Sequence, residues 1–172
     1  MKNKGDDVFI ASDVVFKRED SVEMGNHVAI DKGFYCTTQL KLGDYVHIGP
    51  YVTCIGGKGS LFIARGFNNI MAGARIICGS DRFDDSGLFG TLIPAHLKGN
   101  QIIKPVIMER FSNIGTNAII LPGSILSEGA LLTAGSLLIG ETVPWGVYKG
   151  NPARLIKIID GNKIKRKAKE LE

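Results

Sequence analysis

The chain has few of the residues that cross-link proteins or hold metal ions. Its 172 residues include three cysteines, three histidines and one tryptophan. An odd cysteine count without a secretory signal argues against a disulfide framework, and no CxxC pattern or Cys/His cluster indicates a metal site. We therefore expect Cys36, Cys54 and Cys78 to be small apolar core residues.

Long apolar runs and a strong net charge are missing as well. No apolar span is long enough to cross a membrane, and the charged start at residues 1–7 is not followed by an apolar run. The net charge of +4 is modest and collects near the C-terminus, which makes nucleic acid a poor candidate partner. We expect one cytoplasmic domain with neither nucleic acid nor a membrane as partner.

What the sequence does have is a period of six residues, which is strictest from Val106 to Leu138. Helices repeat every 3.6 residues and single strands every two, so this period predicts short strands joined by equal turns. Each turn would bring a large side chain inward and a small one to a corner, and three strands would form an 18-residue coil. The large residues are Met108, Ile114, Ile120, Leu126, Leu132 and Leu138, and the small ones are Ser112, Ala118, Ser124, Ala130 and Ser136.

The same period organises an earlier block from Met24 to Cys54, preceded by an irregular first strand region at residues 8–16. The glycine-rich run at 56–60 lacks the spacing of a phosphate-binding loop and interrupts the period. We expect the period to resume near Ile63 and to continue, with a slip, through Ile70 and Ile76.

Residues 79–104 have no period. A long aperiodic insertion in a repeat protein is usually a functional loop, although it could instead cap an exposed edge. After Leu138 the repeat stops, and residues 161–172 suit a short, charged, solvent-facing helix. We therefore expect a repeat domain at 1–160 and a helical tail at 161–172.

The C-terminal hexapeptides carry a resemblance to a known family. I-G-T-N-A-I, I-L-P-G-S-I, L-S-E-G-A-L and L-T-A-G-S-L, followed by G-N-P-A-R-L-I-K, resemble the hexapeptide-repeat acyltransferases over about residues 8–158. The resemblance implies an all-β fold: a left-handed parallel β-helix of hexapeptide repeats with one long extended loop and a short C-terminal helix. It also implies homotrimers and acetyl-CoA as acyl donor. The left hand follows from the resemblance alone, because general strand-connection rules favour the opposite hand.

The resemblance also implies where CoA would bind. Residues eighteen apart stack at about 4.8 Å, which places Thr116 directly below Ala134. In the family's sugar acetyltransferases these two positions meet the pantetheine arm of CoA, largely through backbone groups. Arg154 and Lys157 match basic positions that reach the adenosine phosphates, as guanidinium and ammonium groups suit phosphates; alternatively, both are merely solvated. Lys149 could replace a phosphate contact that related enzymes make just after Leu138.

Residues at the start of the 79–104 loop indicate which group accepts the acyl group. Where the sugar O-acetyltransferases carry a histidine, this chain has Asp81, Asp84 and Asp85. The pattern is similar to the S-D-D-[FY]-S-G loop of acetyltransferases encoded with surface-polysaccharide genes, some of which N-acetylate nucleotide-linked 4-amino-4,6-dideoxy sugars. An unprotonated amine attacks unaided, and a carboxylate can hold or orient it, whereas a hydroxyl benefits from a base. Turn formation is the alternative role for Asp81 and Asp84.

Three histidines and two asparagines complete the candidates. His47 should point outward toward a neighbouring subunit, as the base or as a packed interface histidine. His96 could fold over the acceptor or be solvated, and Asn69, like Asn68, could face the acceptor or fill a corner. We expect His27 to be structural, and the three histidines lack the spacing of the family's zinc-binding branch.

The sequence thus predicts an acetyl-CoA-dependent N-acetyltransferase without a metal, acting on a nucleotide-linked amino-deoxy sugar such as dTDP-4-amino-4,6-dideoxyglucose for lipopolysaccharide O-antigen synthesis. The chain would form a homotrimer with active sites between subunits. The alternatives are a sugar O-acetyltransferase and a non-catalytic β-helix scaffold or binding module. The assigned residues are His47 and Asp81 for catalysis, Asp84, Asp85, His96 and Asn69 for the substrate, and Thr116, Ala134, Lys149, Arg154 and Lys157 for the cofactor.

Overall fold

The strands are short and follow the predicted six-residue spacing. The computed structural model describes residues 1–171. In chain order the strands are β1 (Asn3–Lys4), β2 (Phe9–Ile10), β3 (Val15–Phe16), β4 (Val22–Met24), β5 (Ala29–Ile30), β6 (Tyr35–Cys36), β7 (Gln39–Leu42), β8 (Val46–Ile48), β9 (Thr53–Ile55), β10 (Leu61–Ala64), β11 (Asn68–Ile70), β12 (Arg75–Ile77), β13 (Gly79–Asp81), β14 (Gln101–Ile103), β15 (Val106–Met108), β16 (Asn113–Ile114), β17 (Ile119–Ile120), β18 (Ile125–Leu126), β19 (Leu131–Leu132), β20 (Leu137–Leu138), β21 (Gly146–Gly150) and β22 (Ala153–Ile158).

Three parallel sheets form the three faces of a coil. Face A has the order β1-β4-β7-β10-β15-β18, face B the order β2-β5-β8-β11-β16-β19-β21-β22, and face C the order β3-β6-β9-β12-β17-β20; only β22 runs antiparallel to its neighbour. The chain visits A, B and C in turn, so the turns form A/B, B/C and C/A corners. Ile114 lies beside Leu132, as the predicted 18-residue stacking requires. The predicted fold class is confirmed as a parallel β-solenoid of about seven turns.

The periodic residues form the core. Every large residue of the Val106–Leu138 repeat is at most 2% exposed, and every small residue is at most 1% exposed. Each fully buried aliphatic side chain contributes about 1.5–3 kcal/mol, so the stack of anchors is the main source of stability. The three cysteines are buried and unlinked, as predicted. Burial raises the pKa of the Cys54 thiol well above its usual value.

Two details of the predicted period were wrong. Residues 8–16 hold two strands at the usual six-residue spacing, β2 and β3, which pair in parallel with β5 and β6; the first coil departs from the period only after them, at the 3-10 turn Glu19–Ser21. The second block resumes at Ala64, which is 1% exposed, while Ile63 points outward. Ala64, Ile70 and Ile76 then follow at intervals of six, without a slip. The turn at residues 56–60 absorbs the extra residues, since two of its glycines have positive φ and open space around them.

Two segments leave the coil. At the C/A corner, β13 and β14 pair antiparallel and form the base of the 79–104 loop, which contains a 3-10 turn at Ala95–Leu97; another occurs at Glu19–Ser21. Helix α1 (Asn162–Ala168) begins within the predicted tail and packs back on the coil. Its Lys165 ammonium lies 2.8 Å from Glu128 Oε2 and 5.4 Å from the ring centre of Trp145. Within residues 1–171, no helix has the length and apolar character needed to cross a membrane.

Candidate active site

A row of polar side chains crosses the outer side of face B. His47, Asn69 and Asn113 lie in register on β8, β11 and β16, and Asp31 follows β5. The His47 ring is held at both ends: Nε2 lies 3.0 Å from Asp31 Oδ2, and Nδ1 lies 3.0 Å from Asn69 Oδ1. Asn113 Oδ1 accepts the backbone N–H of Asn69 at 2.9 Å, and its Nδ2 donates to the backbone oxygen of Phe111 at 2.7 Å. We call Asp31, His47, Asn69 and Asn113 the face B row.

His47, Asn69 and Asn113 of the face B row form the floor of a pocket of about 480 Å³. The C-terminal tail forms its opposite wall, and aromatic side chains of the A/B corner form its side. The Tyr45 hydroxyl donates to the backbone oxygen of Leu171 at 3.2 Å and so ties the tail to that corner. The lining residues are His47, Asn68, Asn69 and Asn113 from face B, Tyr45, Phe67 and Phe111 from the corner, and Ile164, Lys167, Ala168 and Leu171 from the tail.

The aromatic side of the pocket belongs to a ladder of rings along the A/B corner. Its members are His27, Tyr45, Phe67, Phe111 and Trp145, whose successive ring centres lie 4.6, 4.7, 5.2 and 6.1 Å apart. All five have positive φ, between 52° and 64°, and this shared backbone conformation points each ring along the corner. The ladder was not predicted. Its signal in the sequence is a ring three residues after the face A anchors Met24, Leu42, Ala64 and Met108.

The predicted carboxylates of the loop are engaged in its own structure. Asp81 accepts the backbone N–H of Gly90 at 3.0 Å and the side-chain amide of Gln101 at 2.9 Å. Asp84 accepts from the backbone N–H and the hydroxyl of Ser86, and the Ser86 hydroxyl holds the pKa of that carboxyl below its usual value. These bonds fit the turn-forming alternative for both aspartates. Asp85 and His96 are exposed.

The structure separates the predicted acceptor-binding residues into two groups. His47 and Asn69 lie on face B. Asp81, Asp84, Asp85 and His96 lie in the loop at the C/A corner, the one corner that face B does not touch. A single chain therefore does not bring the two groups together.

The predicted cofactor residues do gather at one end of the coil. Thr116 and Ala134 occupy successive turns of the B/C corner, where the backbone oxygen of Thr116 accepts the backbone N–H of Gly135 at 2.9 Å. The hairpin of β21 and β22 ends beside this corner, since the backbone N–H of Gly150 donates to Ser136 Oγ at 3.1 Å.

That hairpin carries the three predicted basic residues on one face. Lys149 pairs directly with Arg154, and Lys157 pairs with Val147; directly paired antiparallel residues share a face. All three basic side chains are exposed. Four strand steps separate His47 on β8 from Lys149 on β21, which is about 19 Å at the usual strand spacing. The basic hairpin and the face B row thus lie on the same side of the molecule.

Two observations concern metals. Within residues 1–171, no group of three or more His, Cys, Asp and Glu side chains is placed to hold a metal ion. His27, predicted to be structural, stacks on Tyr45 in the aromatic ladder, and its Nδ1 lies 2.9 Å from Asp7 Oδ2.

No family model matches the chain. The sequence is 28% identical over 160 residues to the dTDP-4-amino-4,6-dideoxy-D-glucose acyltransferase of Escherichia coli, covering 90% of this chain and 81% of that protein. It is also 30% identical over 122 residues to a probable macrolide acetyltransferase of Lysinibacillus sphaericus, covering 67% of this chain and 61% of that one.

Solved structures give a likeness over almost the whole length. AntD, an N-acyltransferase from Bacillus cereus determined with dTDP and 3-hydroxybutyryl-CoA, superposes with a TM-score of 0.92 at 26% identity, covering 99% of this chain and 89% of AntD. The chain is therefore similar to the acyltransferases in sequence and in fold over most of its length. This acyltransferase therefore has the fold that its hexapeptides predicted, and the loop and the face B row are the parts in which specificity can be sought.

Proposed function

We propose that this acyltransferase moves the acetyl group of acetyl-CoA to the amino group of a nucleotide-linked amino-deoxy sugar such as dTDP-4-amino-4,6-dideoxyglucose. The product would serve surface-polysaccharide synthesis, such as that of the lipopolysaccharide O-antigen, in the cytoplasm. The observation that carries the proposal is the likeness to AntD over 99% of the chain. A variant of AntD has been determined with this same amino sugar nucleotide and coenzyme A.

The transfer reaction requires few catalytic groups from the protein. The amine lone pair attacks the thioester carbonyl, a C–N bond forms, the C–S bond breaks, and the amine proton passes to the departing sulfur or to solvent. The protein must hold the amine with its lone pair toward the thioester, because orientation alone provides a large part of such a rate enhancement. His47 was predicted as the base, but both of its ring nitrogens already have partners within the chain.

The cofactor would lie along the B/C corner. Thr116 and Ala134 would contact the pantetheine arm, and the basic hairpin would contact the phosphates through Lys149, Arg154 and Lys157. The support for this placement is that these residues lie together at one end of face B. The hydrogen bond from the Gly150 backbone N–H to Ser136 Oγ joins the hairpin to the B/C corner. The span of about 19 Å to the face B row would be bridged by the extended arm of CoA.

The active site would be shared between copies in a homotrimer. The support is the separation of the two predicted groups of acceptor-binding residues within one chain. The loop of one copy would cover face B of the next, so that Asp81, Asp84, Asp85 and His96 meet His47 and Asn69. Apolar side chains at the loop tip suit such a contact, since Phe83 is 83% and Leu92 is 96% exposed. Light scattering should give three times the 18.6 kDa chain mass, and a monomer would refute the shared site.

Thiol release from acetyl-CoA is the deciding assay. We expect release with dTDP-4-amino-4,6-dideoxyglucose and none with the matched acceptor that carries a 4-hydroxyl group. Turnover of only the hydroxyl compound would establish the O-acetyltransferase alternative. If neither acceptor releases thiol and calorimetry with millimolar CoA gives no heat, the scaffold alternative replaces the enzyme.

A further inference from the structure

Most polar side chains that line the cavity over face B already have partners. We call this cavity of about 480 Å³, above His47, Asn69 and Asn113, the face B pocket. Both ring nitrogens of His47 and both ends of the Asn113 amide are engaged. The buried Asn68 amide is bonded at both ends to backbone groups, and the Tyr45 hydroxyl donates to the backbone of the tail. A ligand in the face B pocket therefore meets few side chains that can still form hydrogen bonds.

Two nitrogen donors remain in the face B pocket. Asn69 turns Oδ1 to His47 Nδ1 at 3.0 Å, and within residues 1–171 its Nδ2 has no partner. Lys167 of helix α1 lines the opposite wall, and among the same residues its ammonium group has no partner either. An amide NH₂ group and an ammonium group only donate hydrogen bonds. The ligand that fits this pocket must therefore supply acceptor atoms.

The aromatic side of the face B pocket consists of ring edges. Tyr45 and Phe67 stack with ring centres 4.7 Å apart, and the Phe67 and Phe111 centres lie 5.2 Å apart. Because these rings largely cover one another's faces, their edges are turned to the pocket. An aromatic edge has a positive partial charge and packs well against the face of another planar ring. The wall therefore suits a planar, electron-rich ring.

The sugar amino group is a poor match for this pocket. An amine donates hydrogen bonds and gains from a carboxylate nearby, but in the part of the chain that the structure describes no Asp or Glu side chain lines the pocket. A pyrimidine nucleotide is the better match. Its base is planar and has carbonyl oxygens, and its phosphates suit an ammonium group.

Resting on the proposed function, we propose that the face B pocket binds the nucleotide end of the acceptor. A carbonyl oxygen of the base accepts from Asn69 Nδ2, a phosphate oxygen accepts from Lys167 Nζ, and the base packs against the ring edges of Tyr45 and Phe67. Asn69 and Lys167 are then substrate-binding residues that contact the nucleotide. The amino sugar extends out of the pocket toward the carboxylates of the 79–104 loop.

Two variants test these contacts through the binding of dTDP, measured by calorimetry. Lys167→Met keeps an unbranched side chain and removes the charge, and Asn69→Asp replaces the free NH₂ donor by an acceptor oxygen. We expect each variant to weaken dTDP binding about tenfold, in keeping with the loss of one charge-assisted or well-placed hydrogen bond. The KM for dTDP-4-amino-4,6-dideoxyglucose should rise by the same factor, with kcat and the KM for acetyl-CoA unchanged, because neither side chain contacts the amine or the thioester.

The tail contains a matched control. Lys169 is exposed and does not line the face B pocket. Two residues correspond to about 200° around a helix, so its side chain leaves the tail on the side opposite to that of Lys167. Lys169→Met removes the same charge and should leave dTDP binding within about twofold of the wild type. Equal losses in Lys167→Met and Lys169→Met, or no loss in Lys167→Met and Asn69→Asp, would overturn the proposal.

Inorganic pyrophosphate distinguishes a nucleotide pocket from a simple anion site. We expect the wild type to bind dTDP at least tenfold more tightly than pyrophosphate, because only dTDP has a base for the ring edges and Asn69. Equal affinities would show that the pocket does not recognise the base and would refute its assignment to the nucleotide.

These binding measurements need no turnover, so they separate this inference from the proposed function. If the wild type transfers no acetyl group but binds dTDP in a manner that depends on Lys167 and Asn69, the proposed function fails and the nucleotide pocket stands. If the wild type acetylates the amino sugar and both variants bind dTDP as tightly as it does, the proposed function stands and the nucleotide pocket is refuted.

Discussion

Asn68 joins two coils through Ser112, which lies 44 residues further along the chain. Asn68 Nδ2 donates to the backbone oxygen of Ser112 at 2.8 Å and to that of Glu109 at 2.9 Å. Its Oδ1 accepts the backbone N–H of Gly66 at 2.8 Å. The 79–104 loop lies between these coils in sequence, so this buried amide adds side-chain hydrogen bonds to the strand pairing that joins the coils on all three faces.

We expect Asn68→Ala to lower the free energy of unfolding by about 3 kcal/mol, because it leaves buried backbone groups without partners. Asn68 is 2% exposed, so water cannot replace the amide without rearrangement. Denaturant unfolding at a fixed protein concentration measures the change. Asn69→Ala is the control on the outward face and should cost less than 1 kcal/mol; equal losses in the two variants would contradict this role for Asn68.

The core was predictable because side-chain size repeats with the coil. Every sixth residue points inward, so sequence position alone indicates burial from Met108 to Leu138. The six-residue period did not show at which residue the repeat resumes after Gly56. Ile63 is as apolar as an anchor residue, whereas the true anchor, Ala64, is small. The expectation of a left-handed coil came from the resemblance, since spacing contains no information about handedness.

The candidate site was predictable only in part. The outward direction of His47 followed from its position beside the anchor Ile48. Its partner Asp31 could not be found that way, because the contact joins a turn of one coil to a strand of the next. Equally, spacing does not show that the aspartates at the start of the loop and His47 lie on opposite sides of one chain.

Two glycines with the same backbone conformation should respond differently to a methyl group. Gly129 has φ 67° and Gly135 has φ 66°. A Cβ on Gly129 would lie 2.2 Å from Trp145 Cε3, whereas one on Gly135 would have nothing within 4 Å. We expect Gly135→Ala to cost about 1 kcal/mol from backbone strain alone. Gly129→Ala should cost about 3 kcal/mol, since the Trp145 ring must also move.

Thermal unfolding followed by circular dichroism compares the two glycine variants. Trp145 is the single tryptophan, so its fluorescence reports on its own displacement. The emission spectrum should change in Gly129→Ala and remain that of the wild type in Gly135→Ala. Equal stability losses with unchanged fluorescence would show that the ring does not limit this position.

The B/C corner allows a test of backbone against side-chain contacts with CoA. If backbone groups contact the pantetheine arm, Thr116→Ala should leave the KM for acetyl-CoA within about twofold, a change below 0.5 kcal/mol. Ala134→Phe adds a bulky group at an exposed position and should raise that KM about tenfold or more by blocking the path. Steady-state kinetics at saturating acceptor measures both. A normal KM in Ala134→Phe would place CoA elsewhere.

The order of the loop should depend on pH through Asp84. Its pKa is lowered from the ordinary value of 3.8, first by the Ser86 hydroxyl and then by the Ser86 backbone N–H. A lowered pKa in the folded state means that the contribution of the carboxylate is complete above about pH 4–5 and is lost as the pH falls through the folded value. Amide protection at Ser86, followed by NMR, should decline below that range. In Asp84→Asn the Ser86 amide should have low protection at every pH. In Asp85→Asn, one residue away, the protection of the Ser86 amide should depend on pH as in the wild type.

The proposed binding of the CoA phosphates by the basic hairpin can be tested at Arg154. Lys149 and Arg154 are direct cross-strand partners, and both are exposed. If they bind the phosphates of CoA, Arg154→Ala should raise the KM for acetyl-CoA about tenfold, since a charge-assisted hydrogen bond contributes about 1.5–3 kcal/mol. Arg154→Lys should restore only part of the loss, because an ammonium cannot make the bidentate contact of a guanidinium.

The dependence of the KM for acetyl-CoA on ionic strength distinguishes phosphate binding by Arg154 from a general effect of surface charge. The KM of the wild type for acetyl-CoA should rise with ionic strength, and the rise should be smaller in Arg154→Ala, because one screened contact is already gone. Lys58→Ala removes an exposed charge from the turn at the C/A corner and should change neither the KM nor its salt dependence. If Lys58→Ala and Arg154→Ala behave alike, the hairpin contributes only to the overall field, and the phosphates of CoA must bind another part of the surface.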